Sequence, residues 1–277
     1  MQKTYGAYTK LPSFYAKAGY AEYSVGMAEL CPYMLERFDV NPKTVLDLAC
    51  GEGSFAVAMA RKGCEVTALD SSQEMVRLAR EHAEQSSLSV KVVQGDLRTL
   101  DFRDRFDLVT CWGDALNHLL TMAALRRSLQ GICRALKPDG FFLFDINTIY
   151  GLAFSHWQRS AVRFDTDDLV VLQYLDDYDY GKNIATVRVV LFTRDGSHWD
   201  RSDESIAERA YTIGKIRRCI ADSGLTELAC WANPRAGLGP SRESARLWFV
   251  TKRNGRNSLR DGTTPRRHSM RRPPRAS

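Results

Sequence analysis

The sequence predicts an α/β fold: a doubly wound, mainly parallel sheet of seven strands, interrupted late in the chain by an antiparallel β segment. Two observations carry this. Between Val45 and Ile146 short apolar runs alternate with segments of helical period, and after Asn147 that alternation gives way to consecutive strands parted by turn residues.

Residues 1–40 are rich in tyrosine (Tyr5, Tyr8, Tyr15, Tyr20, Tyr23), and Met27, Leu30, Met34 and Leu35 predict an amphipathic helix over 21–38, so this region is expected to form a helical cap. The strand 45–48 leads into a helix over 54–62. The run EVTALD (65–70) is a strand ending in Asp70, and Ser71 or Ser72 caps the helix SQEMVRLAREHA. Strands follow at 90–96 and 106–112, then a helix whose apolar face is Leu125, Leu129, Ile132 and Leu136. Lys137-Pro138-Asp139-Gly140 is expected to turn the chain into the strand FFLFDI.

Over 168–211 the runs LVVLQYLDDYDY, NIATVRVVLFT and ESIAERAY are separated by turn candidates at Gly181-Lys182-Asn183 and Asp195-Gly196, which predicts an antiparallel meander. TIGKIRRCIADSGL, with Ile213, Ile216 and Ile220 at helical spacing, returns the chain to the main layer. LTELACW and ARLWFVTK then follow with no helix between them and are expected to pair antiparallel at the sheet edge. No internal repeat is present.

The chain carries a net charge of +6, unevenly spread. Residues 253–277 hold eight arginines against Asp261 alone, so residues 1–252 are left at −1. With three prolines and no apolar period, 253–277 is expected to be a disordered basic tail behind a folded domain over 1–252. A nucleic-acid partner is therefore not expected, beyond weak, salt-screened contact through the tail. No apolar run is long enough to span a bilayer, and the N-terminus lacks a signal-peptide apolar core; no membrane partner and a cytoplasmic location are expected. The seven cysteines are scattered and never in a C-x-x-C pair, which points to reduced, buried thiols. Oligomeric state has no signal in the sequence.

The stretch VLDLACGEG, residues 45–53, places Asp47 inside an apolar strand and then small residues at Ala49, Gly51 and Gly53. Gly51-Glu52-Gly53-Ser54-Phe55-Ala56 matches G-x-G-x-x-G/A, and Asp70 at the next strand end is placed to hold ribose hydroxyls, so a dinucleotide site fits this pattern. Three features argue against one. Asp47 sets negative charge where a pyrophosphate would be repelled and an ammonium-bearing ligand helped. Asp96, in QGDLRTL, is placed to accept a hydrogen bond from an exocyclic amine. The sheet closes with an antiparallel hairpin instead of a second nucleotide-binding half.

From Val45 to Ile146 the chain resembles a class I S-adenosylmethionine-dependent methyltransferase. VLDLACGEG is similar to the family's first motif, ALDSSQEMV to its second, QGDLRTL to its third and LKPDGFFLFD to its post-core strand, while LTELACW with ARLWFVTK resembles its reversed last strand. The resemblance covers about residues 40–252. It implies S-adenosyl-L-methionine as cofactor, with Asp47, Ala49, Gly51 and Gly53 lining its methionine part, Asp70 on the ribose, Met75 near the adenine or ribose, and Asp96 with the Leu97 backbone on the adenine. Trp112 or Gly113 would wall the site near the sulfonium, and Tyr8 and Tyr15 would close over it. Ala49 stands where the family usually has glycine, which is tolerable if its φ is negative. Glu52 replaces a common threonine and is expected to face water.

CWGDALNHL resembles the same segment of small-molecule methyltransferases, including sugar-amine N-methyltransferases, in which a histidine matches His118. The 168–211 segment resembles that branch too, where an inserted antiparallel β lid covers the substrate pocket. The implied activity is methyl transfer to a small-molecule acceptor, nitrogen slightly favoured over oxygen. His118 would be base or substrate contact, Asp114 and Asn117 would orient the acceptor or cap a helix, and Arg209 and Tyr211 would face the pocket. The N/D-P-P-Y/F turn of adenine and cytosine amino-methyltransferases is replaced by Gly113-Asp114-Ala115-Leu116. A metal site on Asp114, Asp145 and Asn147 has only generic spacing, and no metal is expected. An RNA or protein methyltransferase using the tail, an NAD-dependent oxidoreductase and a non-catalytic cofactor-binding relative stay open as alternatives.

Overall fold

A computed structural model describes residues 3–5, 8–155 and 161–255, so all but the first three residues of the predicted tail lie outside the described residues. The elements in order are β1 (Lys3–Tyr5), a 3-10 turn at Leu11–Phe14, α1 (Ala21–Glu36), β2 (Thr44–Leu48), α2 (Ser54–Arg61), β3 (Glu65–Asp70), α3 (Gln73–Gln85), β4 (Val90–Gln94) and β5 (Phe106–Cys111). There follow α4 (Met122–Ala135), β6 (Leu136–Asn147), α5 (Ile149–Phe154), β7 (Ala161–Asp165), β8 (Leu169–Asp179), β9 (Ile184–Asp195), β10 (His198–Arg209), α6 (Ile213–Asp222), β11 (Leu225–Trp231) and β12 (Arg246–Arg253).

Seven strands form one sheet in the order β11-β12-β6-β5-β2-β3-β4. β2 to β6 run parallel, and β12 enters antiparallel between β6 and β11. Val45, Leu46 and Leu48 of β2 are all fully buried, as a central parallel strand covered on both faces requires. Alternation divides them: Val45 packs with Met27, Met34, Phe55 and Ala79 of α1, α2 and α3, whereas Leu46 and Leu48 join Leu125, Leu129, Ile216 and Ile220 of α4 and α6. Helices α3 and α4 start where a side chain meets a free N–H group: Ser72 Oγ accepts from Met75 N (3.3 Å) and Thr121 Oγ1 from Ala124 N (3.1 Å).

The predicted meander is part of a larger second sheet of five strands, β1-β10-β9-β8-β7. It begins at Ala161, not 168, and takes in β1, which pairs parallel with β10. β10 also starts at His198, six residues before the predicted ESIAERAY, because its ladder with β9 runs unbroken from His198↔Asp195 to Arg209↔Ile184. An apolar core of Leu169, Val171, Val187, Val189, Leu191 and Ile206 lies beneath Leu11 and Ala18 of the N-terminal region.

Three further expectations are corrected. β4 stops at Gln94, since Gly95 N bonds back to Asp70 O (2.9 Å) and the chain enters a 3-10 turn capped by Asp96. Residues 137–140 are a bulge inside β6 instead of a turn before it: Phe106 pairs with Leu136 and Leu108 with Phe141, and Asp139 takes φ 64°. Arg253, assigned to the tail, closes β12 and donates to Leu136 O. Among the described residues no helix is long and apolar enough to cross a membrane.

Candidate active site

The carboxyl ends of β2 to β5 and the inner face of the second sheet wall a cavity of about 1070 Å³. On one side stand Ala49, Gly51, Asp70, Met75, Asp96 and Leu97; on the other Trp112, Asp114, His118 and Glu208, with Tyr8 and Tyr15 from the N-terminal region between the sheets. This is where an open α/β sheet gathers a ligand, because small residues and free N–H groups meet there.

Gly51 and Gly53 take φ 57° and 89°, the left-handed region that a side chain opposes. A Cβ on Gly51 would meet nothing within 4 Å, so its bare backbone is available to a ligand, whereas one on Gly53 would press on Ala79 Cβ at 3.1 Å. Gly53 therefore serves α2–α3 packing and is not on the cavity wall. Ala49 is also left-handed, at φ 52°, contrary to the negative φ expected of it. Its methyl is carried at a cost of about 1 kcal/mol relative to glycine.

Asp47 lies behind the loop, not on the wall: it is 2 % exposed, accepts from Thr110 Oγ1 (2.9 Å), and its Oδ2 has no hydrogen-bond partner among the described residues. Burial pushes its carboxyl up to about 7 against the hydrogen bond from Thr110. Asp70 is raised by burial, opposed by the N–H groups of Ser72 (2.9 Å) and Gly51 (3.0 Å), so it also fixes the loop. Asp96 is held low by Arg98, which it pairs through both oxygens. Glu52 does not face water; it is 9 % exposed, with Oε2 3.0 Å from His82 Nδ1.

At the other end β5 hands the chain into Gly113-Asp114, both left-handed, and Asp145 on neighbouring β6 accepts from Gly113 N (2.8 Å) and Asp114 N (3.0 Å). Arg246 of β12 donates to Asp145 Oδ2 (2.8 Å) and Asp114 Oδ2 (2.6 Å), with its guanidinium over the Tyr23 ring. Asn147 donates to Asp114 Oδ2 (2.7 Å) and Glu208 Oε2 (3.2 Å). Burial, then Asp114, push Glu208 well above the ordinary carboxyl range. His118 presents Nδ1 to Ala207 O (3.4 Å); a carbonyl only accepts, so Nδ1 carries the hydrogen and Nε2 is left as an acceptor 3.5 Å from Tyr8 OH. Tyr8 O in turn accepts from Ser72 Oγ (3.3 Å), which ties the N-terminal segment to both ends of the cavity.

Three predicted substrate contacts have structural work instead. Asn117 is fully buried, donating to Asn147 O and Arg209 O and accepting from Asn147 N. Strand alternation turns Glu208 inward and Arg209 away, where it donates to Leu120 O (2.8 Å). Tyr211 lies past β10 and donates to Leu119 O. Sequence reasoning missed Glu208 and Arg246; a period-two reading of β10 anchored on Ile206 would have found the first, while Arg246 has no local signal. A metal on Asp114, Asp145 and Asn147 is opposed by the donors already on those groups, and the ligand atoms that converge within 4.8 Å belong to Asp114, His118 and Glu208.

A family of methyltransferase domains matches residues 45–140. Over 213 residues the chain is 30% identical to a protein of Geobacillus sp. (strain WCH70) named "Putative methyltransferase", covering 76% of this chain and 85% of that one. An S-adenosylmethionine-dependent methyltransferase from Clostridium acetobutylicum ATCC 824 is similar at TM-score 0.77 and 25% identity, over 90% of this chain and 100% of that chain. A sugar N-methyltransferase from Streptoalloteichus sp ATCC 53650 shares the fold, at TM-score 0.71 and 16% identity over 92% of this chain and 96% of that chain. With the glycine loop, the strand-end acids and the reversed β12 in place, the chain belongs to the S-adenosylmethionine-dependent methyltransferases.

Proposed function

We propose that this enzyme methylates a nitrogen of a small molecule held beneath the second sheet. The observation that carries the reading is one continuous cavity with chemically different ends: a bare-backbone loop with strand-end acids at one, and a histidine with buried carboxylates at the other. The likeness to a sugar N-methyltransferase, which shares this layout of sheets, supports nitrogen as the acceptor atom.

The residues fit the cofactor. The Asp47 carboxyl behind the loop, whose Oδ2 has no hydrogen-bond partner among the described residues, suits a ligand bearing ammonium and sulfonium charge, which would favour its ionised form, and Gly51 leaves room for that ligand. Asp70 would hold the ribose hydroxyls, Asp96 and the Leu97 backbone the adenine, and Met75 an adenosine face. Bound S-adenosylmethionine supplies an electrophilic methyl on its sulfonium, in an in-line displacement governed by alignment. Tyr8 and Tyr15 exclude water over that line. His118 Nε2, which in this tautomer accepts from Tyr8 OH (3.5 Å), orients the acceptor nitrogen or takes its proton once Tyr8 gives way. Titration calorimetry with S-adenosylhomocysteine and NAD separately tests the cofactor half: binding of the first alone is expected, and binding of NAD alone would overturn it.

A further inference from the structure

Glu208 is 3 % exposed, on the cavity wall, and Asn147 is its hydrogen-bond partner through Oε2 alone; Oε1 accepts nothing among the described residues. Around it stand Asp114 after β5, Asp145 and Asn147 on β6, His118, and Arg246 on β12. Three buried acids thus meet one guanidinium, and His118 lines the same cavity with Nε2 beside Tyr8 OH. A carboxyl removed from water either keeps its proton or needs a compensating cation, and Arg246 hydrogen-bonds Asp114 and Asp145 and not Glu208. Glu208 is the acid of the three that hydrogen-bonds no cation among the described residues, and a cation entering this end of the cavity would ionise it.

Resting on the nitrogen reading above, we infer that Glu208, releasing its own proton to solvent as the cation enters, binds the acceptor's ammonium group through Oε1 and then takes a proton from it, so the acceptor arrives as a cation. Asp114 and His118, whose ligand atoms lie within 4.8 Å of the Glu208 carboxylate, receive its other N–H bonds. One N–H bond breaks as the proton passes to Oε1. The lone pair so freed forms the N–C bond while the methyl's bond to sulfur breaks, its electrons remaining on sulfur. A divalent cation suits the same atoms less well: Arg246 Nη2 stands 2.6 Å from Asp114 Oδ2, and Asn147 Nδ2 donates to both carboxylates. An ammonium donates to the oxygens that remain.

The test compares cyclohexylamine with its neutral isostere cyclohexanol, by calorimetry on the full chain saturated with S-adenosylhomocysteine. The amine is expected to bind about tenfold or more tighter, as for a charged hydrogen bond. Glu208→Gln should erase that preference while leaving the S-adenosylhomocysteine dissociation constant unchanged, and Glu208→Asp should keep part of it. Equal affinity for the pair, no binding of the amine, or a preference that survives in Glu208→Gln overturns the assignment. So does Mn²⁺ binding that is lost in Glu208→Gln and is needed for turnover, which would make the site metallic. Loss of S-adenosylhomocysteine binding in the unaltered protein would instead sink the methyltransferase reading itself.

Discussion

Arg246 Nη2 lies 2.6 Å from Asp114 Oδ2, joining the reversed strand β12 to the segment that follows β5 across 132 positions of sequence. Burial lowers the guanidinium's proton affinity, and Asp145 and Asp114 outweigh that, so Arg246 stays charged while Asp145 is fully buried beside it. The antiparallel placement of β12 beside β6 is thereby also what brings a cation to Asp114 and Asp145 at this end of the cavity.

Removing that cation leaves buried carboxylates unpaired, and Arg246→Met should destabilise the fold by about 3 kcal/mol or more. Arg246→Lys, which keeps charge but loses the fork, should cost less. Urea unfolding of both variants checks the order; equal, small losses would show the pair to be peripheral.

Asp47 predicts a pH effect whose sign is fixed. Its carboxyl is raised from 3.8 to about 7 by burial, so its contribution to stability is present below the lower value and is lost as pH rises through the higher one. A cationic cofactor favours the carboxylate, so binding should release a proton. Affinity for S-adenosylmethionine should then tighten about tenfold from about pH 5.5 to about 7.5. In Asp47→Asn the dependence should vanish and affinity should sit at the weak end throughout; an unchanged profile would remove Asp47 from cofactor recognition.

Ala49→Gly relieves a left-handed φ of 52° and should raise stability by about 1 kcal/mol. Thermal melts with and without S-adenosylhomocysteine separate this from any gain in cofactor affinity. A lower melting temperature would mean the methyl packs favourably enough to outweigh its backbone.

Asp70→Ala should weaken cofactor binding by about 1 to 3 kcal/mol, losing both a ligand acceptor and the Gly51 N–H anchor. His118→Ala should lower kcat while sparing S-adenosylhomocysteine affinity; full turnover would leave His118 as scaffold.

The parts of the fold visible in the sequence are those set by local pattern. Asp47, the glycines, Asp70 and Asp96 sit at strand ends that apolar periodicity locates directly. The N-terminal strand β1 was invisible, since three residues pairing with β10 carry no periodicity of their own. The left-handed backbone at Ala49 follows from the loop's geometry and not from alanine's preference. Glu208 and Arg246 reach the site only when β10 and β12 are laid beside β6, a consequence of topology across long separations. Asn117 and Arg209 show the converse: residues of suitable chemistry, near the site in sequence, whose polar atoms are spent on neighbouring carbonyls.

Incubating the full chain with isotopically methyl-labelled S-adenosylmethionine and a panel of primary amines, amino sugars, phenols and RNA, then locating the label by mass spectrometry, identifies the acceptor atom. Label is expected on an amine nitrogen, with matching formation of S-adenosylhomocysteine. Label only on hydroxyl oxygen or on RNA would contradict the proposed transfer to nitrogen.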